Sequence, residues 1–286
     1  MKPFLKWAGG KRWLIPRLVG ILPNFKKYFE PFAGSAGLFF ALEPQAGVLS
    51  DVNRDLINCY RCVRDHCDSV IAVLRKLRVD EDTYYRVRDR QYRCADKIRR
   101  AAFFIYLNRT CWNGLYRVNR EGNFNVPMGK RDRAVELYDP DQLILASQIL
   151  RRTRIMSCDF EHAVKGAQAG DLVYFDPPYI TTHLTNGFVK YNSRLFHHFD
   201  ELRLARVSRE LAMSGVSVIV SNAAHPLIKQ LYDGPFYKTE IQRASLIAAD
   251  PQRRSVFPEL LISTFPLNLR EVDARAGGKM TVDERD

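Results

Sequence analysis

KKYFEPFAGSAGLFFALEPQAGVLSD, residues 26–51, is the stretch that decides the fold. KKYFEPF (26–32) reads as a short strand running into a glycine-rich turn, AGSAG. LFFALEP then reads as a helix, and GVLSD (47–51) as a second apolar run ending in an acid. Strand, glycine turn, helix and strand together open a doubly wound α/β sheet. The alternation resumes downstream. RIMSCDF (154–160), DLVYFDPPY (171–179), VSVIVSN (216–222) and ELLISTF (259–265) read as further strands, with a helix near 200–213. Residues 58–139 differ. They carry long basic helices, including RVRDRQYRCADKIRR (86–100) with seven basic against two acidic residues, then a polar, aromatic, Asn/Gly-rich segment up to Lys130. We expect one α/β domain built from 1–57 and 140–270, interrupted by a helical insertion at 58–139. The charged tail, 271–286, has little to bury and is expected to be disordered.

Composition bounds the rest. With 286 residues, 46% hydrophobic and 27% charged, the chain can bury a sizeable core. Wholesale disorder, a fibrous rod and a small disulfide-stapled fold are excluded. The 44 Lys and Arg exceed the 32 Asp and Glu by 12, which favours a polyanionic partner, nucleic acid first. No stretch approaches a membrane span, and MKPFLKWAGGKRW lacks the apolar region of a signal peptide, so an intracellular protein is expected. Cys59, Cys62, Cys67, Cys94, Cys111 and Cys158 do not read as a disulfide framework. Cys59, Cys62, His66 and Cys67 share one helix face. A closed zinc site draws on a second ligand pair, which the sequence does not offer, so buried thiols and no metal are expected.

Three motifs carry chemistry. DPPY (176–179) follows the apolar run LVYF and so sits at the carboxyl end of a strand, where open α/β sheets bind ligands. Asp176 can accept a hydrogen bond from the amino group of a flat heteroaromatic base. The prolines stiffen the turn and leave the Pro177 carbonyl to accept the second proton, and Tyr179 offers a face for stacking. A strand-ending Asp-Pro turn is the plainer alternative for this tetrapeptide taken alone. EPFAGSAG (30–37) is a glycine turn that lets a ligand approach the backbone, but GxGxxG is not met. Asp51 follows Gly34 by 17 residues, where an acid bonds ribose hydroxyls in such folds. Ribose without pyrophosphate suits a nucleoside such as S-adenosylmethionine. FLKWAGGK (4–11) fails the phosphate-loop pattern, with Leu5 in place of the first glycine and Arg12 in place of Ser or Thr.

In order, FLKWAGGK, EPFAGSAG, SDVN (50–53), LNRTCWNGLYRVNREGNFNVPMGK (107–130), CDF (158–160), DPPY and VSN (220–222) resemble the motif series of the Dam-type DNA adenine methyltransferases. The resemblance covers residues 4 to about 265. It implies a Rossmann-like methyltransferase sheet with a helical DNA-recognition insertion. It also implies transfer of a methyl group from S-adenosyl-L-methionine to the exocyclic amino group of adenine in duplex DNA, with base flipping and S-adenosyl-L-homocysteine as product.

Position by position, the resemblance assigns Trp7, Lys11, Phe32, Gly34, Asp51, Asp159, Phe160 and Asp176 to the cofactor, with Asp159 and Phe160 flanking its adenine. Asp176, Pro177, Pro178 and Tyr179 would be catalytic. Lys6, Trp112, Asn113, Leu115, Arg117 and Pro127 would meet DNA, Arg117 as guanine reader. Trp112 suits a prop for the gap in the duplex, or core packing at a helix end. NGLYRVN and FNVPMGK point toward GATC or a related short site. The family commonly has GxG in its glycine loop; here Gly34-Ser35-Ala36-Gly37 displaces the second glycine by one, and the match after Arg243 is loose. A monomer acting in a bacterial, archaeal or phage-infected cytoplasm is the corresponding expectation. A cytosine amino-methyltransferase, an RNA adenine methyltransferase and an inactive DNA-binding module are the alternatives.

Overall fold

The computed structural model describes residues 1–91, 93–129, 137–179, 196–243 and 257–269. Its centre is a seven-stranded sheet in the order β3-β2-β1-β4-β5-β7-β6. The strands are β1 (Tyr28–Glu30), β2 (Gly47–Ser50), β3 (Thr153–Met156), β4 (Leu172–Phe175), β5 (Ser217–Ala223), β6 (Tyr237–Arg243) and β7 (Phe257–Ser263). The first five are parallel, and β7 runs antiparallel to both β5 and β6. The α/β expectation is met. The sheet gains a strand that the sequence reading omitted: in β6, YKTEIQR, polar residues dominate and no apolar run marks it.

Alternation along the strands builds two cores. Tyr28, Leu49, Leu172 and Tyr174 face one side, with the amino-terminal segment and the helices of the insertion. Phe29, Val48, Val173 and Phe175 face the other, against residues of 196–236. Strands apolar on both faces are what a parallel core sheet requires.

Local signals start the helices. Asn53 caps α3 (Arg54–Leu74) by accepting from Asp55 N and Leu56 N; Asp96 caps α5 (Lys97–Thr110) in the same way. α1 (Ile15–Val19), α2 (Gly37–Leu42) and α4 (Glu81–Gln91) complete the elements of the first half. α6 (Pro140–Leu150) and the single-turn α7 (Phe160–Ala163) flank β3; α8 (His198–Met213) and α9 (Pro226–Leu231) flank β5. The strand expected over 154–160 ends at Met156. The Asp159 carboxylate accepts from Glu161 N and so turns the chain into α7.

The expected junction at 57/58 lies in the first turns of α3, which packs on both α5 and α6. Cys59 and Cys62 are buried in the first core and His66, at a kink in α3, is exposed. After α5, a short 3-10 turn (Trp112–Gly114) leads into a hairpin-like loop closed by Asn125 N to Arg117 O and Asn119 N to Asn123 O. The tail 271–286 and the loosely matching segment after Arg243 lie outside the described residues. No helix among the described residues is long and apolar enough to cross a membrane.

Candidate active site

Strand order reverses between β1 and β4, which are hydrogen-bonded neighbours. The glycine turn after β1 and DPPY after β4 therefore open side by side at the switch point of the sheet, where such folds bind ligands. A cavity of about 600 Å³ lies there. Trp7, Lys11, Phe32, Gly34, Asp51, Asp159, Phe160, Asp176, Pro177, Pro178 and Tyr179 all line it.

The glycine turn shapes one wall. Gly34 has φ +46°, and a Cβ there would stand 2.8 Å from Trp7 Cδ1, so only glycine fits beneath the indole. Ala36 keeps a left-handed backbone (φ 53°, ψ 43°) at the cap of α2, a position glycine would occupy without strain. Asp51 Oδ2 accepts from Gly34 N (3.2 Å) and Oδ1 from Asn53 N (2.9 Å). Burial pushes the Asp51 pKa up, and these backbone N–H groups oppose it. Beneath the turn, the buried Glu30 carboxylate accepts from Tyr28 Oη (2.8 Å) and Phe39 N (3.0 Å). Burial raises its pKa to about 8, with a smaller push from Asp176.

Beside the turn lies an aromatic cluster. Phe32 and Phe160 stack at 5.4 Å with 28° between planes, and Phe196 meets Phe32 edge-on. Asp159 adjoins it.

Lys11 reaches the DPPY turn. Its side chain is almost fully buried, 3.2 Å from Glu259 Oε2 and 3.6 Å from Asp176 Oδ1. Nζ donates to Tyr179 Oη at 2.5 Å, and Tyr179 Oη also pairs with Ser221 Oγ at 2.9 Å. Nζ lies 4.3 Å from the Tyr179 ring centroid. Burial alone would lower the Lys11 pKa; Asp176, Tyr179 and Glu259 reverse this and raise it above the ordinary lysine value. The ring of Tyr179 is thus tied at its hydroxyl, with a cation beside it. Tyr174, in the same wall, has a buried hydroxyl without a hydrogen-bond partner among the described residues.

The residues expected to meet DNA fall outside this cavity, on the surface formed by the amino-terminal loop and the hairpin. Lys6 N donates to Asn108 Oδ1 (2.8 Å), and Asn108 Nδ2 donates back to Lys6 O (2.7 Å). Gly114 (φ +64°) packs directly on the Lys6 side chain. Trp112 N donates to Pro127 O at 3.0 Å, and the Trp112 side chain is 50% exposed, which excludes it from the core. Asn113, Arg117 and Pro127 are exposed, and Leu115 is half-buried. Arg117 Nε donates to Asn125 Oδ1 (2.8 Å), which orients its guanidinium. Trp7 joins the two regions by stacking on Tyr116 (5.4 Å, 19°).

Sequence reasoning missed Glu30, Tyr174 and the insertion's Arg100, Tyr116, Val118 and Gly122 in the cavity wall, and Ser221 and Glu259 behind it, against Tyr179 and Lys11. For Glu259 a signal existed: an acid set inside the apolar run FPELLIS. Tyr116 lies in the quoted motif 107–130 and Arg100 in the basic stretch 86–100, but only the fold brings α5 and the hairpin to the cavity wall.

Residues 7–246 match the model of the D12 class N6 adenine-specific DNA methyltransferases. The chain is 39% identical over 275 residues to the type II methyltransferase M1.LlaDCHI of Lactococcus lactis subsp. cremoris, covering 93% of this chain and 96% of the relative. It is 36% identical over 288 residues to the type II methyltransferase M.MjaIII of Methanocaldococcus jannaschii (93% and 99%). It is 35% identical over 237 residues to a DNA adenine methylase of Serratia marcescens (81% and 87%).

Proposed function

The chain belongs to the D12 class of N6 adenine-specific DNA methyltransferases, and from that premise we propose that its switch-point cavity holds S-adenosyl-L-methionine beside a flipped adenine. The observation that carries this reading is the convergence of the glycine turn, Asp51, the Phe32–Phe160 pair and DPPY on one cavity. The donor set fits the cofactor. The cavity has room for a nucleoside with a short tail, carboxylates at Asp51 and Asp159 for ribose hydroxyls and an amino group, and an apolar aromatic wall for a ring. The cofactor supplies an electrophilic methyl group.

The chain's residues do the rest. The adenine amino nitrogen is a poor nucleophile because its lone pair is delocalised into the ring. Asp176 and the Pro177 carbonyl accept hydrogen bonds from its two N–H groups, which localises the lone pair and stabilises charge developing on nitrogen. Lys11 and Ser221 fix the Tyr179 hydroxyl, and the ring face away from Lys11 receives the base. Stacking there returns about 1–3 kcal/mol of the few kcal/mol spent in flipping. Alignment of amino group and methyl in one cavity supplies further acceleration. Residues 58–139 act as the recognition unit, with Arg117 gripping a guanine and Trp112 placed to prop the duplex. The target is GATC or a related short site.

Asp176→Ala tests the assignment. Methylation of a GATC duplex should be abolished while calorimetric affinity for S-adenosyl-L-homocysteine stays within a few fold. Loss of that affinity would move Asp176 to a cofactor role. Sequencing of modified bases in a methylation-deficient host expressing the chain identifies the base and the site, and methylated cytosine would refute the adenine assignment.

A further inference from the structure

Arg203, on α8, spends its whole guanidinium on one wall of the cavity. Nη1 donates to Asp200 Oδ1 (2.9 Å), and Nη2 to both Asp159 Oδ1 (2.7 Å) and Glu161 Oε2 (3.1 Å). Its Cζ lies 4.9 Å from the centroid of the Phe160 ring. Asp159 receives its second donor, Glu161 N at 3.0 Å, on the same Oδ1. Both contacts fall on one oxygen, so Oδ2 is the atom left to meet a donor from a ligand. Phe160 is held between Arg203 and Phe32.

We propose that Arg203 is a positioning residue that fixes Asp159 on the Phe160 wall so that the cavity selects a purine bearing a 6-amino group over one bearing a 6-oxo group. The inference rests on reading the cavity as an S-adenosylmethionine site. A mobile carboxylate can swing from the 6-oxo oxygen to the N1–H beside it and so accommodate either purine. A carboxylate pinned through Oδ1 presents only an acceptor, which pairs with an amino group and opposes a carbonyl. A rigid, planar fork suits this role better than an ammonium, because it holds three carboxylates at fixed angles at once. A site that hydrogen-bonds one group discriminates against an analogue that lacks it.

Calorimetry with S-adenosyl-L-homocysteine and S-inosyl-L-homocysteine, on the full chain, tests this. The wild type should prefer the adenosyl compound by about tenfold or more, as expected for a hydrogen bond to a charged acceptor. Arg203→Met, which keeps an apolar stem over Phe160, should bring the two affinities within about threefold, chiefly by weakening the adenosyl compound. Arg203→Lys should also lose most of the preference, because one ammonium cannot hold three carboxylates. Arg206→Ala removes a neighbouring contact to Glu161 Oε1 without touching Asp159, and should keep the preference. An unchanged preference in folded Arg203→Met or Arg203→Lys overturns the proposal, as does an equal loss in Arg206→Ala. A wild type that binds both compounds equally overturns it too. A wild type that binds neither defeats the cofactor reading itself, and is distinguishable from all of these.

Discussion

Glu30 gives the sharpest physical prediction. Its carboxylate lies in the core beneath the glycine turn, and burial raises its pKa from an ordinary 4.5 to about 8. Folded Glu30 therefore holds a proton over a range in which the unfolded chain has released it. Its contribution is fully present below about pH 4.5 and is lost as pH rises through about 8. At 1.36 kcal/mol per pH unit the loss amounts to about 5 kcal/mol. Glu30→Gln removes the ionisation but keeps an oxygen able to accept from Tyr28 Oη and Phe39 N, which both address Oε2. The variant should match the wild type near pH 5 within about 1 kcal/mol and exceed it by several kcal/mol at pH 9. In urea, with a slope of about 3 kcal/mol/M, the midpoint at pH 9 should rise by about 1.5 M. Glu201, raised to about 7 by burial, tilts both proteins alike, so the difference between them isolates Glu30. A difference that does not grow between pH 5 and pH 9 would refute a protonated Glu30 in the fold.

Other outcomes follow from the same geometry. Gly34→Ala, with its left-handed φ and a Cβ 2.8 Å from Trp7 Cδ1, should lose about 1–3 kcal/mol of stability and weaken S-adenosyl-L-homocysteine binding; urea unfolding within 0.5 kcal/mol of wild type, roughly the scatter for surface changes, would contradict the packing argument. Arg117→Ala should flatten preference at one guanine by about 1–3 kcal/mol in competition binding, rather than weaken all sequences equally. Asn125→Ala, which releases the Arg117 Nε contact, should do the same to a smaller extent. DNA affinity should fall steeply with added salt, and a flat response would contradict phosphate contacts by the basic insertion.

The sequence made the switch-point cavity readable because its signals are local. EPFAGSAG carries its own turn chemistry, and DPPY follows directly on an apolar strand, so each motif names its place at a strand end. That the two lie side by side needed only the strand order of a doubly wound sheet. Side chains that act across the fold were hidden. Lys11 reads as a cofactor residue from its motif, yet its neighbours are Asp176, Tyr179 and Glu259, the last far along the chain and close only because β7 pairs with β5. Arg203 lies in an ordinary charged helix, RLARVSRE, and nothing local sets it apart from Arg206 or Arg209. The edge strand β6 escaped notice because pairing with β7, not its own apolarity, makes it a strand.

The reciprocal pair between Lys6 and Asn108, with Trp7 stacked on Tyr116, clamps the first loop of the chain to a segment a hundred residues away. Engineers who exchange residues 58–139 must therefore exchange the loop around Lys6 and Trp7 with them. A chimaera that replaces that segment but leaves the native leader loop would break both the amide exchange and the ring contact.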